Sequence, residues 1–422
     1  VKERTQDWKG RTYILIEKLK VKVQRNGTFY VGMILAAIIC FAYYFEQQMN
    51  PQDTTVFAFS YKYGFISRGF MGTLLLLVNK ISPVDAMSYH TVYQMSMAAT
   101  ILFFIMLFVL YAVLLYKVEE KQERTMQFFI LILSILAFPE FLTLENFGRL
   151  DVYLAILMLA CVIILLIEKA EWLVIPLCAL ATIIHQGFVF MNINIILVML
   201  LYKAFRCQGK IRKKYLVIFG ITFLTVSALF LYFELFSHMN GQEIYDEVVA
   251  LAKKLSMDGE SVNDSLLKHE ILGEDVFAYE WGFHILNYEE TPLFLLMFSP
   301  FILLGIGFFR RLCKALQTKE QKFIYGIVIA GAITVLPEAI LKIDYGRYSY
   351  AILFYYILMV MILFAWRDNF VEVEAGNTYK RIRQKMDAPA MMILYLIMMV
   401  PFRDVRFNEL ICGIMMWIFR IF

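Results

Sequence analysis

Charge is what this 422-residue chain most conspicuously lacks: 18% of residues are charged, while 60% are hydrophobic and the mean hydropathy is +0.64. A soluble core of this length has no use for so much apolar surface, so most of it is expected to face lipid. The net charge of +4 carries no nucleic-acid signature. The chain has six cysteines, and none falls in a loop expected on the external side, so no disulfide framework is implied. A Walker A loop, a GxGxxG after a strand, a GxSxG and an HExxH are all missing, which disfavours nucleotide hydrolysis and soluble-enzyme chemistry. The five histidines, His90, His185, His238, His269 and His284, fit no zinc spacing, and neither a metal nor a cofactor is expected.

What is present is a series of apolar runs of helical length, flanked by charge. They predict an all-α, polytopic integral membrane protein with about twelve spans, near 27–45, 92–116, 126–142, 152–168, 172–184, 187–202, 215–235, 291–309, 323–340, 348–366, 388–402 and 407–420. The fifth, sixth, eleventh and twelfth are short enough to be tilted, broken or re-entrant. The chain opens at Val1 with no cleavable-signal pattern, so Gly27 to Phe45 reads as a retained span. Residues 1–26 form a basic segment, whose stretch 11–23 is either an amphipathic helix on the inner leaflet or an ordinary basic tail. Lys and Arg are retained on the cytoplasmic side. With the N-terminus inside, 29 of the 40 basic residues lie inside and 11 outside.

That orientation leaves a single membrane domain, 27–422, with two long external segments, 46–91 and 236–290. The second is an acidic cap, with twelve acidic residues and only Lys253, Lys254 and Lys268 as basic ones; its stretch Gln242 to Leu255 has helical spacing. The first contains Asp53 and then YKYGFISRGFMGTLLLL, Tyr61 to Leu77, which reads as a re-entrant or interface-lying hairpin bent at Gly64, Gly69 and Gly72 and presenting Arg68. FPEFLTLENFGR (138–149) aligns without a gap on LPEAILKIDYGR (336–347), each joining an outgoing span to a returning one, six spans apart. A six-plus-six duplication gives this pattern, and so does chance similarity between apolar helices.

Polar groups at membrane depth are costly and therefore candidates for function. The two aligned turns carry Glu145, Asn146, Gly148, Arg149 and Asp151, and Glu338, Asp344, Gly346 and Arg347. In each, glycine permits a tight turn and sets arginine beside a carboxylate, an arrangement suited either to phosphate recognition or to pinning helix ends. Arg403, Asp404 and Arg406 form a third outward cluster. His185, in IIHQGFVFMN between two short spans, is either a general base, a sugar ligand or a packing histidine. Trp281 and Tyr288 are positioned to stack on sugar rings or to belong to an interface belt.

Many spans rich in Phe, Tyr and Ile, two large external loops, and external arginines beside carboxylates together resemble the Wzy-type O-antigen and capsule polymerases and, more broadly, the GT-C glycosyltransferases. The resemblance spans the whole chain at the level of architecture. It implies that Asp53 activates an acceptor hydroxyl and that Arg68, Arg149 and Arg347 hold the diphosphate of a polyprenyl-linked donor; the first loop carries no Asp-Xaa-Asp or Asp-Glu pair. The expected catalytic groups are then Asp53, His185 and Asp344, and the expected binding groups Arg68, Arg149, Arg347, Arg403, Glu145, Asp151 and Glu338. The expected partners are the bilayer, a polyprenyl-linked glycan and other envelope-glycan assembly proteins, with no nucleic acid, in a bacterial cytoplasmic membrane. A transporter or lipid-glycan flippase, and a sugar O-acyltransferase, remain the alternatives. Reporter fusions test the orientation: a tag within 207–214 is expected to read as cytoplasmic, and one within 256–263 as external.

Overall fold

In the computed structural model the residues described are 49–82, 85–142, 147–237, 239, 241–273, 291–337 and 345–385, with Glu17, Gly27 and Ile34 singly. Every regular element among them is helical. The main helices are α1 (Gly69–Ile81), α2 (Tyr89–Lys117), α3 (Glu123–Leu142), α4 (Asp151–Ile167), α5 (Val174–Ile184), α6 (Ile193–Arg206), α7 (Gly209–Phe236), α8 (Gln242–Leu255), α9 (Thr291–Ala315), α10 (Lys319–Ala330), α11 (Tyr345–Ala365) and α12 (Asn369–Lys385).

Local chemistry sets several of the boundaries. Ser88 caps α2 by accepting from the Thr91 amide, and Thr318 and Gln321 form a reciprocal capping box at the start of α10. The last turn of α10 tightens into the 3-10 helix Gly331–Val335, where a Cβ on Gly331 would lie 1.9 Å from the Tyr355 hydroxyl of α11. The expected pair of short spans is α5 and α6, separated by an irregular stretch from His185 to Asn192 that holds one four-residue helix, Phe188–Met191.

Of the twelve expected spans, those at 388–402 and 407–420, and that at 27–45 apart from two single residues, lie outside the described residues. Among the described helices, α2 and α7 are long and apolar enough to cross a membrane, and α11 with α12 counts as a third if the two are one span bent by 116°. At 1.5 Å per residue, a helix of α7's 28 residues runs about 42 Å, against a hydrocarbon core of about 30 Å. Helix α7 buries one stripe, Tyr215, Ile218, Thr222, Val226 and Phe233, and leaves Leu216, Val217, Phe223, Leu224 and Leu231 exposed. A helix apolar all round but covered on one side only belongs beside something other than water.

Among the described residues the ion pairs between elements gather at two ends, marked by the starts and the ends of α2 and α4. One end holds Lys203–Glu168, Lys214–Glu171, Arg206–Asp368, Arg311–Glu374 and Arg367–Glu119. The other holds Arg149–Asp53, Arg68–Glu270, Lys62–Glu247 and Lys254–Asp85. The first is called here the basic end, since the exposed Arg310, Lys314, Lys380, Arg381 and Arg383 also lie there; the second is the capped end.

At the capped end, α8 lays Val248, Ala252 and Leu255 against the 3-10 turn Val56–Ala58. The reading of Tyr61–Leu77 as a hairpin needs correction: it is one 3-10 turn, Tyr61–Tyr63, a bend at Gly64 (φ +117°) and the single helix α1. Gly69 and Gly72 lie inside that helix and make no bend. Gly72 serves close approach, because a Cβ there would stand 2.0 Å from the Phe59 carbonyl oxygen and 2.5 Å from that of Phe57. Backbone cannot step aside as a side chain does. Gly72→Ala is therefore expected to destabilise the protein by about 1–3 kcal/mol or more, while Gly220→Ala in α7, whose added methyl meets nothing within 4 Å, is expected to leave the melting temperature unchanged or raise it. Thermal unfolding of the two variants in detergent checks the contrast.

Candidate functional site

The capped end is where segments distant in sequence are tied together. The Asn263 amide donates to Thr55 Oγ1 at 3.0 Å, and the Ser67 amide to Ser237 Oγ at 2.9 Å. Lys62 pairs with Glu247, and Lys254 with Asp85 at 2.9 Å. The Lys254 hydrogen bond holds the Asp85 carboxyl below its ordinary value. Burial pushes the Tyr61 phenol up to about 12, and burial with the nearby Glu247 charge does the same for Tyr63, so both remain protonated donors.

Arg68 closes this layer. Its backbone sits in the left-handed region, at φ 63° and ψ 0°, immediately before α1. A non-glycine residue there is uncommon and is held in place by its surroundings. Its Nη1 meets Glu270 Oε1 at 2.8 Å, both side chains being mostly buried. Glu270 comes from the wide turn Lys268–Leu272, whose backbone has π-helical hydrogen bonding, a form that marks functional sites more often than regular helix does.

Arg149 is set by the turn before α4. Gly148 takes φ +96°, so the turn requires glycine for its conformation, and the Met49 side chain of the first loop lies against it, its Cε 2.2 Å from where a Cβ would stand. Phe147 packs on Tyr93, with ring centres 5.4 Å apart, and the Met49 amide donates to the Tyr89 hydroxyl. Docked in this way, Arg149 Nε stands 3.3 Å from Asp53 Oδ1, with the two side chains 15% and 4% exposed. Two residues on, Asp151 borders a cavity of about 30 Å³ shared with Asn192, Asn194 and Tyr355, room enough to hold water. Asn194 is buried: its Oδ1 accepts from the Ile195 amide, while its Nδ2 has no protein partner.

His185 caps the end of α5, and its Nδ1 accepts from the Gly187 amide at 3.0 Å. A general base needs a free ring lone pair, so this contact disfavours proton abstraction at Nδ1.

The structure thus brings Asp53 and Arg149 together, sets Asp151 beside them, and places Arg68 with Glu270 in the same capping layer. Arg347 lies in the first turn of α11, one helical turn before Ala351 at the wall of the Asp151 cavity. Gly346 is in that helix too, so the second aligned sequence does not repeat the turn at Gly148. Glu145, Glu338, Asp344 and Arg403 lie outside the described residues, as do Asn146, Trp281 and Tyr288. Among the described residues, no three His, Cys, Asp or Glu side chains converge as metal ligands do.

Two clusters had no signal in the sequence. One is Glu270, indistinguishable there from its acidic neighbours. The other lies at the basic end, where Asp368 accepts from the hydroxyls of Tyr202 and Tyr325 and from the Val371 amide, with Arg206 at 3.7 Å. Trp366 stacks on Tyr202 at 5.6 Å, and Lys203 lies 4.2 Å above the Trp366 ring. This cluster joins α6 and α10 to the elbow between α11 and α12, with Asp368, Tyr202, Tyr325 and Arg206 satisfying one another.

Comparison of the chain with protein families, with curated proteins and with solved structures finds no match. Arg149→Ala is expected to destabilise the protein by about 1–3 kcal/mol, since it removes the guanidinium 3.3 Å from the buried Asp53 carboxylate. The double variant Asp53→Asn/Arg149→Gln is expected to recover part of that loss, with a coupling of about 0.5–3 kcal/mol in a thermal-unfolding cycle.

Proposed function

We propose that the chain is a polytopic membrane glycosyltransferase of the polysaccharide-polymerase kind. On this reading it transfers sugar from a polyprenyl-diphosphate donor to a saccharide hydroxyl at the extracytoplasmic face of a bacterial cytoplasmic membrane. The observation that carries the reading is the buried Asp53–Arg149 pair at the capped end, opposite the end where lysine and arginine collect. By the rule that basic residues stay in the cytoplasm, the capped end is the outer one.

The chemistry asks for little more. The acceptor oxygen attacks the anomeric carbon and gives its proton to the Asp53 carboxylate, while the bond from that carbon to the diphosphate oxygen breaks. Charge grows on the departing diphosphate, where a fixed guanidinium stabilises the transition state more than the ground state. Arg149 is oriented for this by Asp53, and Arg68 by Glu270, whose carboxylate oxygens stand where phosphate oxygens bind arginine. His185 contributes a hydrogen bond to a sugar oxygen. The preference for an enzyme over a transporter rests on where the polar groups lie: they collect at the helix ends, whereas alternating access needs ionisable groups at mid-depth facing a path.

Two measurements test this. Cells lacking the protein are expected to accumulate single polyprenyl-linked repeat units on the outer face; units trapped on the inner face identify a flippase and overturn the proposal. Asp53→Asn and the double variant Asp53→Asn/Arg149→Gln are expected to make no polymer at matched protein abundance. Normal glycan from the double variant would mean that the pair only fastens the turn.

A further inference from the structure

Helix α11 has a cavity on each face. Ala351, Phe354 and Tyr355 border the small space beside Asp151. Ile352, Leu353, Tyr356, Ile357 and Val360 border a second chamber of about 390 Å³, closed on the far side by Phe301, Phe308 and Phe309 of α9. Close-packed interiors hold few voids larger than a water molecule, and ligand sites begin at roughly 300 Å³.

The walls say what kind of occupant fits. Only two side-chain hydroxyls reach the chamber, and both have already given their hydrogen. Tyr356 donates to the Ile329 carbonyl at 2.7 Å, and Thr378 to Glu374 at 3.2 Å. All the other lining side chains are hydrocarbon or glycine. Water or a sugar entering such a space would lose hydrogen bonds and regain none, whereas an apolar chain loses nothing.

The mouth says where the occupant comes from. Ile306 lines the chamber yet is 60% exposed, and Leu303, one turn earlier on α9, is 67% exposed, so the chamber opens sideways between helices. Along the same exposed face of α9, Arg310 follows Ile306 by four residues and Lys314 follows Arg310 by four, each step being about one turn of 5.4 Å. Helix α12 packs on α9 and presents Lys380 and Arg381 at the same end. Arg311, by contrast, turns inward onto Glu374. An apolar chamber whose mouth lies one turn from exposed cations matches an amphiphile with a hydrocarbon chain and an anionic head.

We propose that this chamber holds one acyl chain of an anionic phospholipid, entering past Ile306 with its phosphate over Arg310 and Lys314. The site lies towards the basic end, away from Asp53 and Arg149, and does not depend on the glycosyl-transfer reading. The leaflet expected to border that end is the one rich in anionic lipid.

The test uses the full chain purified in neutral detergent, with phosphatidylglycerol and phosphatidylcholine of matched chains as probes. Phosphatidylglycerol is expected to co-purify, as read by lipid mass spectrometry, and to raise the melting temperature more than phosphatidylcholine does. Arg310→Gln and Lys314→Gln are each expected to weaken the phosphatidylglycerol response by about fivefold. Gly305→Phe fills the chamber from a position where a Cβ meets nothing within 4 Å, and is expected to abolish the response while the variant stays folded. Should that variant misfold, Ile306→Trp at the mouth gives the same reading. Equal stabilisation by the two lipids overturns the assignment of the head group. An undiminished response in folded Gly305→Phe or Ile306→Trp overturns the chamber as the site, and recovery of a polyprenyl phosphate in place of phospholipid overturns the choice of occupant.

Discussion

Arg149 and Asp53 stand 3.3 Å apart and nearly out of contact with solvent, and the arrangement of the capped end depends on that contact. A charge removed from water must find its opposite or be neutralised. The first loop delivers Asp53 to the turn carrying Arg149. The turn itself uses glycine at 148, whose φ of +96° lies in a region that side chains rarely adopt. The same need for an opposite charge sorts the rest of the charged residues. The helices between the two ends offer apolar partners, so lysine, arginine, aspartate and glutamate pair with one another at the rims.

The sequence shows some of this directly. Residues 242–255 form the helix that their spacing predicts, with bounds to the residue, because Val248, Ala252 and Leu255 repeat at helical intervals and are buried together. The bends at Gly64 and Gly148 follow from glycine's tolerance of positive φ. Glycine has a second use that sequence does not separate from the first. At Gly72 and Gly331 it admits a neighbouring atom rather than a turn, and the neighbour, Phe59 or Tyr355, comes from another part of the chain. Gly346 shares the Gly-Arg dipeptide with Gly148 yet is helical, so the dipeptide alone does not specify a turn.

The candidate site was legible one residue at a time and not as an assembly. Asp53 and Arg149 each stand out as a charge in apolar surroundings, but nothing local links them. Glu270 is one acid among many in its loop, and only the fold selects it as the partner of Arg68. Asp368 was hidden for another reason. Charged residues near the basic end read as topological markers, and that reading absorbs the single carboxylate there that takes two tyrosine hydroxyls.

The ties that close the cap join residues 170 to 208 positions apart: Ser67 to Ser237, Lys62 to Glu247, Arg68 to Glu270 and Thr55 to Asn263. A ribosome adding about 5–20 residues per second therefore leaves the first loop waiting roughly 10–40 seconds for its partners. Five helices, α2 to α6, and the whole of α7 must be made in that interval. Until then Arg68 has no Glu270 and the 3-10 turn Val56–Ala58 has no α8 to cover it. The first half of the cap is thus made before α2 and acquires its partners only after α7.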